Sequence, residues 1–169
     1  TYSDAKALEE AIAYALFLTK QLKVTTVRLF NTVGPRQTGR YGMVLPRFVQ
    51  AALNNEPITI YGDGSQTRSF CYVDDMIEAF VRLMNQDETT GPVNLGNPGE
   101  FTIKQLAEMV LRMTGSKSKL VMHPLPQDDP KQRKPDITLA KKVLQWEPKV
   151  PLEDGLKHVI DYFRYIIAK

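Results

Sequence analysis

The chain has little cysteine and no long apolar segment. Cys71 is the single cysteine among 169 residues, which excludes a disulfide framework and a cysteine-based zinc cluster and is typical of a reducing cytosol. No apolar run approaches the roughly 20 residues that a membrane-spanning helix needs. No basic segment followed by an apolar one opens the sequence, as a secretory leader would. We therefore expect a cytoplasmic protein.

The sequence also lacks a glycine-rich phosphate-binding loop and a strong charge of either sign. Neither Gly-x-x-Gly-x-x-Gly nor Gly-x-Gly-x-x-Gly occurs in the 169 residues, so the strand, turn and helix that hold a dinucleotide pyrophosphate are missing from them. The net charge of +3 is too small to indicate nucleic-acid binding. It is compatible with an anionic small-molecule ligand where arginines converge.

Tyr2 and Lys6 lie four residues apart at the start of a segment that predicts a helix. Residues at positions i and i+4 share a helix face, so the ammonium of Lys6 can lie beside the phenol of Tyr2. A neighbouring positive charge lowers the pKa of a phenol and makes tyrosine a usable proton donor or acceptor. The alternative is an exposed pair at a helix start, since the same spacing recurs at Tyr165 and Lys169.

Short strands alternate with helices along the chain, which is typical of an α/β fold. Helices are predicted at residues 3–21, 43–55, 73–86, 102–115, 137–145 and 151–168, and strands at 24–30, 57–62, 69–73, 92–96 and 120–124. The strand at 24–30 is rich in β-branched residues and is expected to be buried. The helix at 3–21 is apolar on two faces, so we expect it to be buried or to pack on a sheet and also on a partner. Trp146 is expected to anchor the last helix in the core.

Helix ends are predicted from capping residues. Thr102 and Gly115 are suited to begin and end the helix between them. Asp136 is suited to cap the helix that follows it, and Asp74 or Asp75 to cap the helix at 73–86.

Six short segments follow one another in an order that is more informative than any of them alone. They are Tyr2-x-x-x-Lys6, VTTVRLF, NTVGPRQTGR, YGDGSQTRSFCYVDD, PVNLGN and DDPKQRKPD. On these segments, which extend over essentially the whole chain, the sequence resembles the extended short-chain dehydrogenase/reductase family, and within it the NAD-dependent nucleotide-sugar epimerases and dehydratases. The resemblance implies the end of a Rossmann-type parallel sheet in residues 1–33 and a small mixed α/β substrate-binding lobe in residues 34–169.

The resemblance also implies how the chain relates to a complete enzyme. Because the glycine-rich loop is absent and the sequence begins one residue before Tyr2, we expect the C-terminal half of a longer enzyme, inactive by itself. In the family the helix matching residues 3–21 packs against its symmetry mate, so a homodimer through this helix is expected.

The resemblance assigns the cofactor side of the site to three residues. In the family the tyrosine matching Tyr2 is the active-site base or acid, and the lysine matching Lys6 binds the nicotinamide ribose. The residue matching Phe30 borders the nicotinamide. NAD is the expected cofactor, and Tyr2 would take the proton of a sugar hydroxyl as hydride leaves the same carbon.

The family's substrate-binding positions match eight residues here: Asn31, Met43, Val44, Leu45, Ile60, Tyr61, Arg68 and Arg133. Arg68 and Arg133 are expected to clamp the diphosphate, because a guanidinium offers a planar fork of donors to phosphate oxygens. The same role is expected of the Asn31 amide and of the helix start at Met43, while Tyr61 would line the base. Each has a plainer alternative: a solvated surface arginine, a turn asparagine, or a tyrosine that packs in the core.

The reaction is expected to begin with oxidation of a UDP-sugar at C4, as in the family. We favour a UDP-glucose 4-epimerase-like enzyme. A dTDP-sugar 4,6-dehydratase and a UDP-glucuronate decarboxylase are the alternatives, and a catalytically inactive nucleotide-sugar-binding fragment is an alternative of another class. The decarboxylase is less favoured because that subfamily has an arginine for the substrate carboxylate where this sequence has Met43, although Arg40 lies three residues earlier.

Overall fold

A computed structural model describes residues 2–39, 43–125 and 132–168. These residues form six α-helices and nine short strands. The helices are α1 (Tyr2–Lys20), α2 (Val44–Leu53), α3 (Val73–Met84), α4 (Ile103–Thr114), α5 (Thr138–Leu144) and α6 (Leu152–Ile167). The strands are β1 (Val27–Leu29), β2 (Thr32–Val33), β3 (Ile58–Tyr61), β4 (Thr67–Ser69), β5 (Cys71–Tyr72), β6 (Val93–Leu95), β7 (Glu100–Thr102), β8 (Leu120–His123) and β9 (Gln132–Arg133).

The strands pair mostly in parallel, which confirms the predicted α/β class. Three parallel pairs are formed by β1 with β6, β2 with β5 and β3 with β8. A mixed three-stranded sheet has the order β7-β4-β9, in which β4 runs antiparallel to β7 and parallel to β9. Parallel neighbours require crossover connections, and the helices between the strands supply them.

Apolar residues form two clusters. The first joins α2, α4 and α6 to β3, with Val49, Ile58, Leu106 and Val159 fully buried. The second surrounds Trp146, which is 1 % exposed and donates its indole N–H to the Asp75 carbonyl over 3.0 Å. The core role predicted for Trp146 is therefore confirmed.

One of the predicted helix starts is confirmed and two are wrong. Thr102 and Gln105 form a reciprocal capping box at α4, and Gly115 ends that helix at φ 68°. At α5 the capping position belongs to Ile137 and no side chain caps it, while Asp136, one residue earlier, accepts from the Thr138 N–H over 2.9 Å. At α3 the capping position belongs to Tyr72, and no side chain caps it either. Asp75 is instead 4 % exposed and accepts from the backbone N–H groups of the 149–150 turn.

The strand predicted at 24–30 is shorter and less buried than expected. Only Val27–Leu29 pairs, with β6 as its partner in the described residues, and Leu29 is 55 % exposed. The burial prediction was wrong because a strand with a single neighbour keeps one edge and much of its surface open. The strand predicted at 69–73 divides into the ends of β4 and β5, because Cys71 donates its N–H to the Asn31 carbonyl and joins another sheet.

Helix α1 lies on the surface of the described chain. Leu8, Ile12 and Leu18 are all more than half exposed, so the alternative of a helix buried within this chain is wrong. Ala13 and Phe17 on its other side line a small cavity against Val24. The homodimer expected through this helix stays a prediction. None of the described helices combines the length and the apolar character that crossing a membrane requires.

Candidate functional site

Two arginines that are far apart in the sequence lie next to each other in the three-stranded sheet. Arg68 on β4 is the register partner of Arg133 on β9. Adjacent strands lie about 4.8 Å apart and register partners share a sheet face, so both guanidinium groups arise from the same face. Phe101 on β7 is the partner of Arg68 on its other side. We call this row of Phe101, Arg68 and Arg133 the arginine face.

The two arginines differ in burial. Arg68 is 9 % exposed and donates from Nη1 to the Thr67 carbonyl over 2.8 Å, whereas Arg133 is exposed. A buried, backbone-anchored guanidinium beside a solvent-facing one offers a fixed and an adjustable set of donors. Two guanidinium groups from neighbouring strands can bind one dianion in a bidentate manner. The structure thus brings together the pair that the sequence predicted to act together.

The opposite side of the sheet carries a carboxylate network. Glu100 on β7 accepts through Oε1 from Thr67 Oγ1 over 2.8 Å and from Gln132 Nε2 over 2.6 Å. Its Oε2 lies 3.3 Å from Lys134 Nζ. We call Glu100, Thr67, Gln132 and Lys134 the carboxylate face. The hydrogen bonds from Gln132 and Thr67, and then the Lys134 charge, lower the pKa of the Glu100 carboxyl below its ordinary value.

Asn31 lies next to β4, the strand that carries Arg68. Its Nδ2 donates to the Ser69 carbonyl over 2.9 Å, and its own carbonyl accepts from Cys71 N–H. One amide hydrogen of Asn31 is therefore used within the protein, as the alternative of a structural residue implies. The second amide hydrogen and the Oδ1 acceptor take no part in that bond. Ser69 is fully buried, and its hydroxyl has no hydrogen-bond partner within the described residues.

Gln37 is a residue of this region that sequence reasoning missed. Its Nε2 donates to the Thr32 carbonyl over 3.0 Å and lies 3.7 Å from the Met43 sulfur. Its Oε1 is buried, without a hydrogen-bond partner in the part of the chain that the structure describes. Buried polar atoms are rarely left unpaired, so Gln37 is suited to a polar ligand. The polar position directly after Gly34-Pro35-Arg36 was the available signal.

The start of α2 offers a different contribution from each predicted residue. Met43 precedes the helix and is 47 % exposed, Val44 is half-buried, and Leu45 is in the core. The Leu45 side chain cannot reach a ligand, so only the backbone N–H groups at this helix start suit an anion.

Ile60 and Tyr61 lie at the end of β3. Ile60 is buried in the first cluster, which leaves only its main chain for ligand contact. Tyr61 is 38 % exposed, with its ring centroid 6.2 Å from that of His123, and its carbonyl accepts from Gln66 Nε2 over 2.7 Å. Gln66 directly precedes β4, so this bond connects the end of β3 to the start of β4.

Helix α1 is fastened to β1 by a bidentate ion pair. Arg28 donates from Nε and Nη2 to the two carboxylate oxygens of Glu10 over 2.7 and 2.6 Å. This hydrogen bonding lowers the pKa of Glu10 and raises that of Arg28. Because β1 follows α1 after a short connection, the first turns of α1 lie towards the end of β1 that leads to Phe30. Lys6 is in those turns, and its Nζ lies 2.8 Å from Glu9 Oε2. The side chain of Tyr2 lies outside the described part of the chain.

The described residues show no metal site, and a groove lies elsewhere. Within residues 2–39, 43–125 and 132–168, no three His, Cys, Asp or Glu side chains converge on a point where a metal ion could be held. A groove of about 310 Å³ is lined by residues of α2, of the connection that follows it and of β3, among them Arg47, Gln50 and Glu56. None of its lining residues belongs to the predicted site.

Comparison with known proteins decides the family. Residues 1–96 match the model of the NAD dependent epimerase/dehydratase family. The chain belongs to this family. A curated relative, UDP-glucuronic acid decarboxylase 4 of Arabidopsis thaliana, is 45 % identical over 163 residues, which are 96 % of this chain and 37 % of the relative. The chain thus spans well under half the length of that relative.

Solved structures of the family share the fold. The UDP-glucose 4-epimerase of Thermotoga maritima, solved with UDP-glucose, superposes with a TM-score of 0.91 at 35 % identity over 98 % of this chain and 54 % of that one. The UDP-glucuronic acid 4-epimerase of Bacillus cereus, solved with UDP-glucuronic acid and NAD, gives 0.86 at 30 % identity over 93 % of this chain and 50 % of that one. The predicted Rossmann-like α/β fold and the predicted family are confirmed.

NAD is the cofactor of the family, and the residues present suit one end of it. Phe30 directly follows β1 and packs so closely on Gly96 that a Cβ added to Gly96 would lie 2.8 Å from the Phe30 Cβ. Its flat ring therefore lies at the carboxyl end of a parallel strand, which is the end at which α/β sheets bind their ligands. Lys6, in the first turns of α1, carries an ammonium that would suit the ribose hydroxyls. The chain contains no glycine-rich loop for the pyrophosphate.

Proposed function

We propose that this chain carries the nucleotide-sugar side of an NAD-dependent enzyme that oxidises a UDP-sugar at C4. The observation that carries the proposal is the register pairing of Arg68 with Arg133 on one sheet face. Arg68 and Arg133 hold the substrate diphosphate, and the Asn31 amide adds a neutral donor from the adjoining strand junction. Tyr61 lines the base at the end of β3.

The cofactor side of the same site is proposed for the start of α1 and the end of β1. Bound NAD would supply hydride acceptance and return at the sugar carbon. Tyr2 takes up and gives back the hydroxyl proton, and Lys6 lowers the cost of the phenolate by its charge. Phe30 limits the position of the nicotinamide.

Among the family's reactions we favour 4-epimerisation. Met43 supports this choice because it is exposed at the start of α2, within 3.7 Å of Gln37, and a thioether cannot pair with a substrate carboxylate. A sugar without a carboxylate therefore suits this position better than a uronic acid does.

Decarboxylation of UDP-glucuronic acid is the second candidate. It is favoured by the 45 % identity to a UDP-glucuronic acid decarboxylase, against 35 % to the UDP-glucose 4-epimerase. Arg40 would be the residue to take over the carboxylate, and it lies outside the described residues.

Calorimetric titration of the chain tests the substrate side. We expect UDP and UDP-glucose to bind, and Arg68→Ala to weaken UDP binding roughly 10- to 100-fold, as loss of charge-assisted hydrogen bonds implies. Arg112→Ala is the matched control, because Arg112 is an exposed arginine paired with Glu153 on another surface. Equal UDP affinity of Arg68→Ala and the unchanged chain would refute the diphosphate role.

The choice between reactions is tested with the sugar. Tighter binding of UDP-glucose than of UDP-glucuronic acid supports the epimerase, and the reverse order supports the decarboxylase. We also expect the 169-residue chain to catalyse no turnover of UDP-glucose with added NAD. Recovery of the 4-epimer from that incubation would show the inactivity prediction to be wrong.

A further inference from the structure

Strand β9 carries Arg133 but is only two residues long, Gln132–Arg133. Its register with β4 consists of two partner pairs, Thr67 with Gln132 and Arg68 with Arg133. Backbone pairing over so short a length is weak, and an isolated two-stranded pair is marginal in water. The position of Arg133 therefore depends on what else holds this strand.

Alternation along the strands separates two functions onto two faces. Arg68 and Arg133 lie on the arginine face, while Thr67, Gln132 and Lys134 lie on the carboxylate face with Glu100. A slip of one residue would turn every side chain of β9 to the other face and remove Arg133 from Arg68.

Glu100 fastens β9 on both sides of Arg133. Its carboxylate accepts from Gln132, the residue before Arg133, and pairs with Lys134, the residue after it. The same carboxylate accepts from Thr67 on the central strand β4. One side chain on β7 thus reaches across β4 and holds both neighbours of Arg133.

We propose that Glu100 is the positioning residue that sets the register of β9 and so places Arg133 beside Arg68 for the diphosphate. This role deepens the proposed function and rests on it, since Glu100 itself lies on the face away from the arginines and acts through Arg133.

A double-mutant cycle tests the proposal by UDP titration. We expect Arg133→Ala and Glu100→Ala each to weaken UDP binding about tenfold, and the double variant to be no weaker than Arg133→Ala alone. Glu100→Gln keeps an acceptor for Thr67 or Gln132 and is expected to recover part of the affinity. Glu153→Ala, which removes another exposed ion pair, is the matched control and should bind normally.

The outcomes separate this proposal from the diphosphate role. If Arg133→Ala binds UDP normally, the clamp itself is wrong. If Arg133→Ala is weak and Glu100→Ala is normal, or if the two losses add, the clamp stands and the positioning role is overturned.

Hydrogen exchange gives a readout that needs no ligand. In Glu100→Ala the amides of residues 132–134 should lose protection, while those of β4 and β7 other than position 100 keep it. Unchanged protection of residues 132–134 would overturn the positioning role whether or not UDP binds. A loss that spreads over the whole three-stranded sheet would show a general structural role and overturn it too.

Discussion

Asp75 is expected to be the acidic residue on which the stability of the second core cluster depends most. Its buried Oδ2 accepts from the backbone N–H groups of Lys149 and Val150 over 3.0 and 2.9 Å. Its carbonyl accepts from the Trp146 indole over 3.0 Å. One residue of α3 therefore holds the turn between α5 and α6 at three points.

The magnitude follows from the two bonds that Asp75→Ala removes. A hydrogen bond to a charged acceptor contributes about 1.5–3 kcal/mol. Lys149 is exposed and Val150 half-buried, so water can recover part of this in the variant. We expect a loss of about 2–4 kcal/mol in the free energy of unfolding, and about half of that for Asp75→Asn, which keeps one acceptor.

Urea unfolding followed by Trp146 fluorescence measures this loss. Asp74→Ala is the matched control, because Asp74 is exposed in the same first turn of α3 and shares any interaction with the helix dipole. It should change the unfolding free energy by about 0.5 kcal/mol or less. Equal effects of the two substitutions would refute the buried-acceptor reasoning and would indicate that both residues act only at the start of α3.

Two further predictions concern titrating groups. Burial, and then the Asp75 charge, raises the pKa of the Cys71 thiol from 9.0 to about 12. At pH 8 the thiolate of the folded protein is then about a thousandfold scarcer than that of an ordinary thiol. Iodoacetamide should therefore label Cys71 only after unfolding, and labelling of the folded protein at the rate of the unfolded one would contradict this. The hydrogen bond from Arg28 lowers the pKa of Glu10 in the folded protein below its ordinary 4.5. The ion pair therefore stabilises the contact between α1 and β1 above pH 4.5, and this stabilisation is lost as the pH falls through the lowered pKa. The NMR shifts of the α1 and β1 amides should show this transition, and Glu10→Gln should abolish it.

The predictable parts of the fold are those determined by neighbouring residues. The Thr102 cap and the end of α4 at Gly115 depend on residues within one helix, so the local sequence was sufficient to predict them. The cap expected from Asp74 or Asp75 had the same local signal. It failed because the backbone of the 149–150 turn, more than seventy residues away, binds the Asp75 carboxylate instead.

The candidate site was predictable as a set of residues but not as an arrangement. The motifs selected Arg68 and Arg133 by their chemistry and by resemblance. Nothing in the sequence near Arg133 indicates a strand, because two residues cannot show an alternating pattern. Gln37 was missed because only its contacts with Thr32 and Met43 distinguish it from any polar loop residue.

The placement of Arg133 is therefore a tertiary property that rests on side chains of the opposite sheet face. A longer strand would hold its register by backbone pairing alone, but it would also hold Arg133 rigidly. In a two-residue strand held by Glu100, the register is fixed instead through Gln132 and Lys134. Because Arg68 is buried and anchored to its own backbone while Arg133 is exposed, the second guanidinium is the one whose position this carboxylate can govern, and substitutions at Glu100 should change the affinity for a diphosphate without removing either arginine.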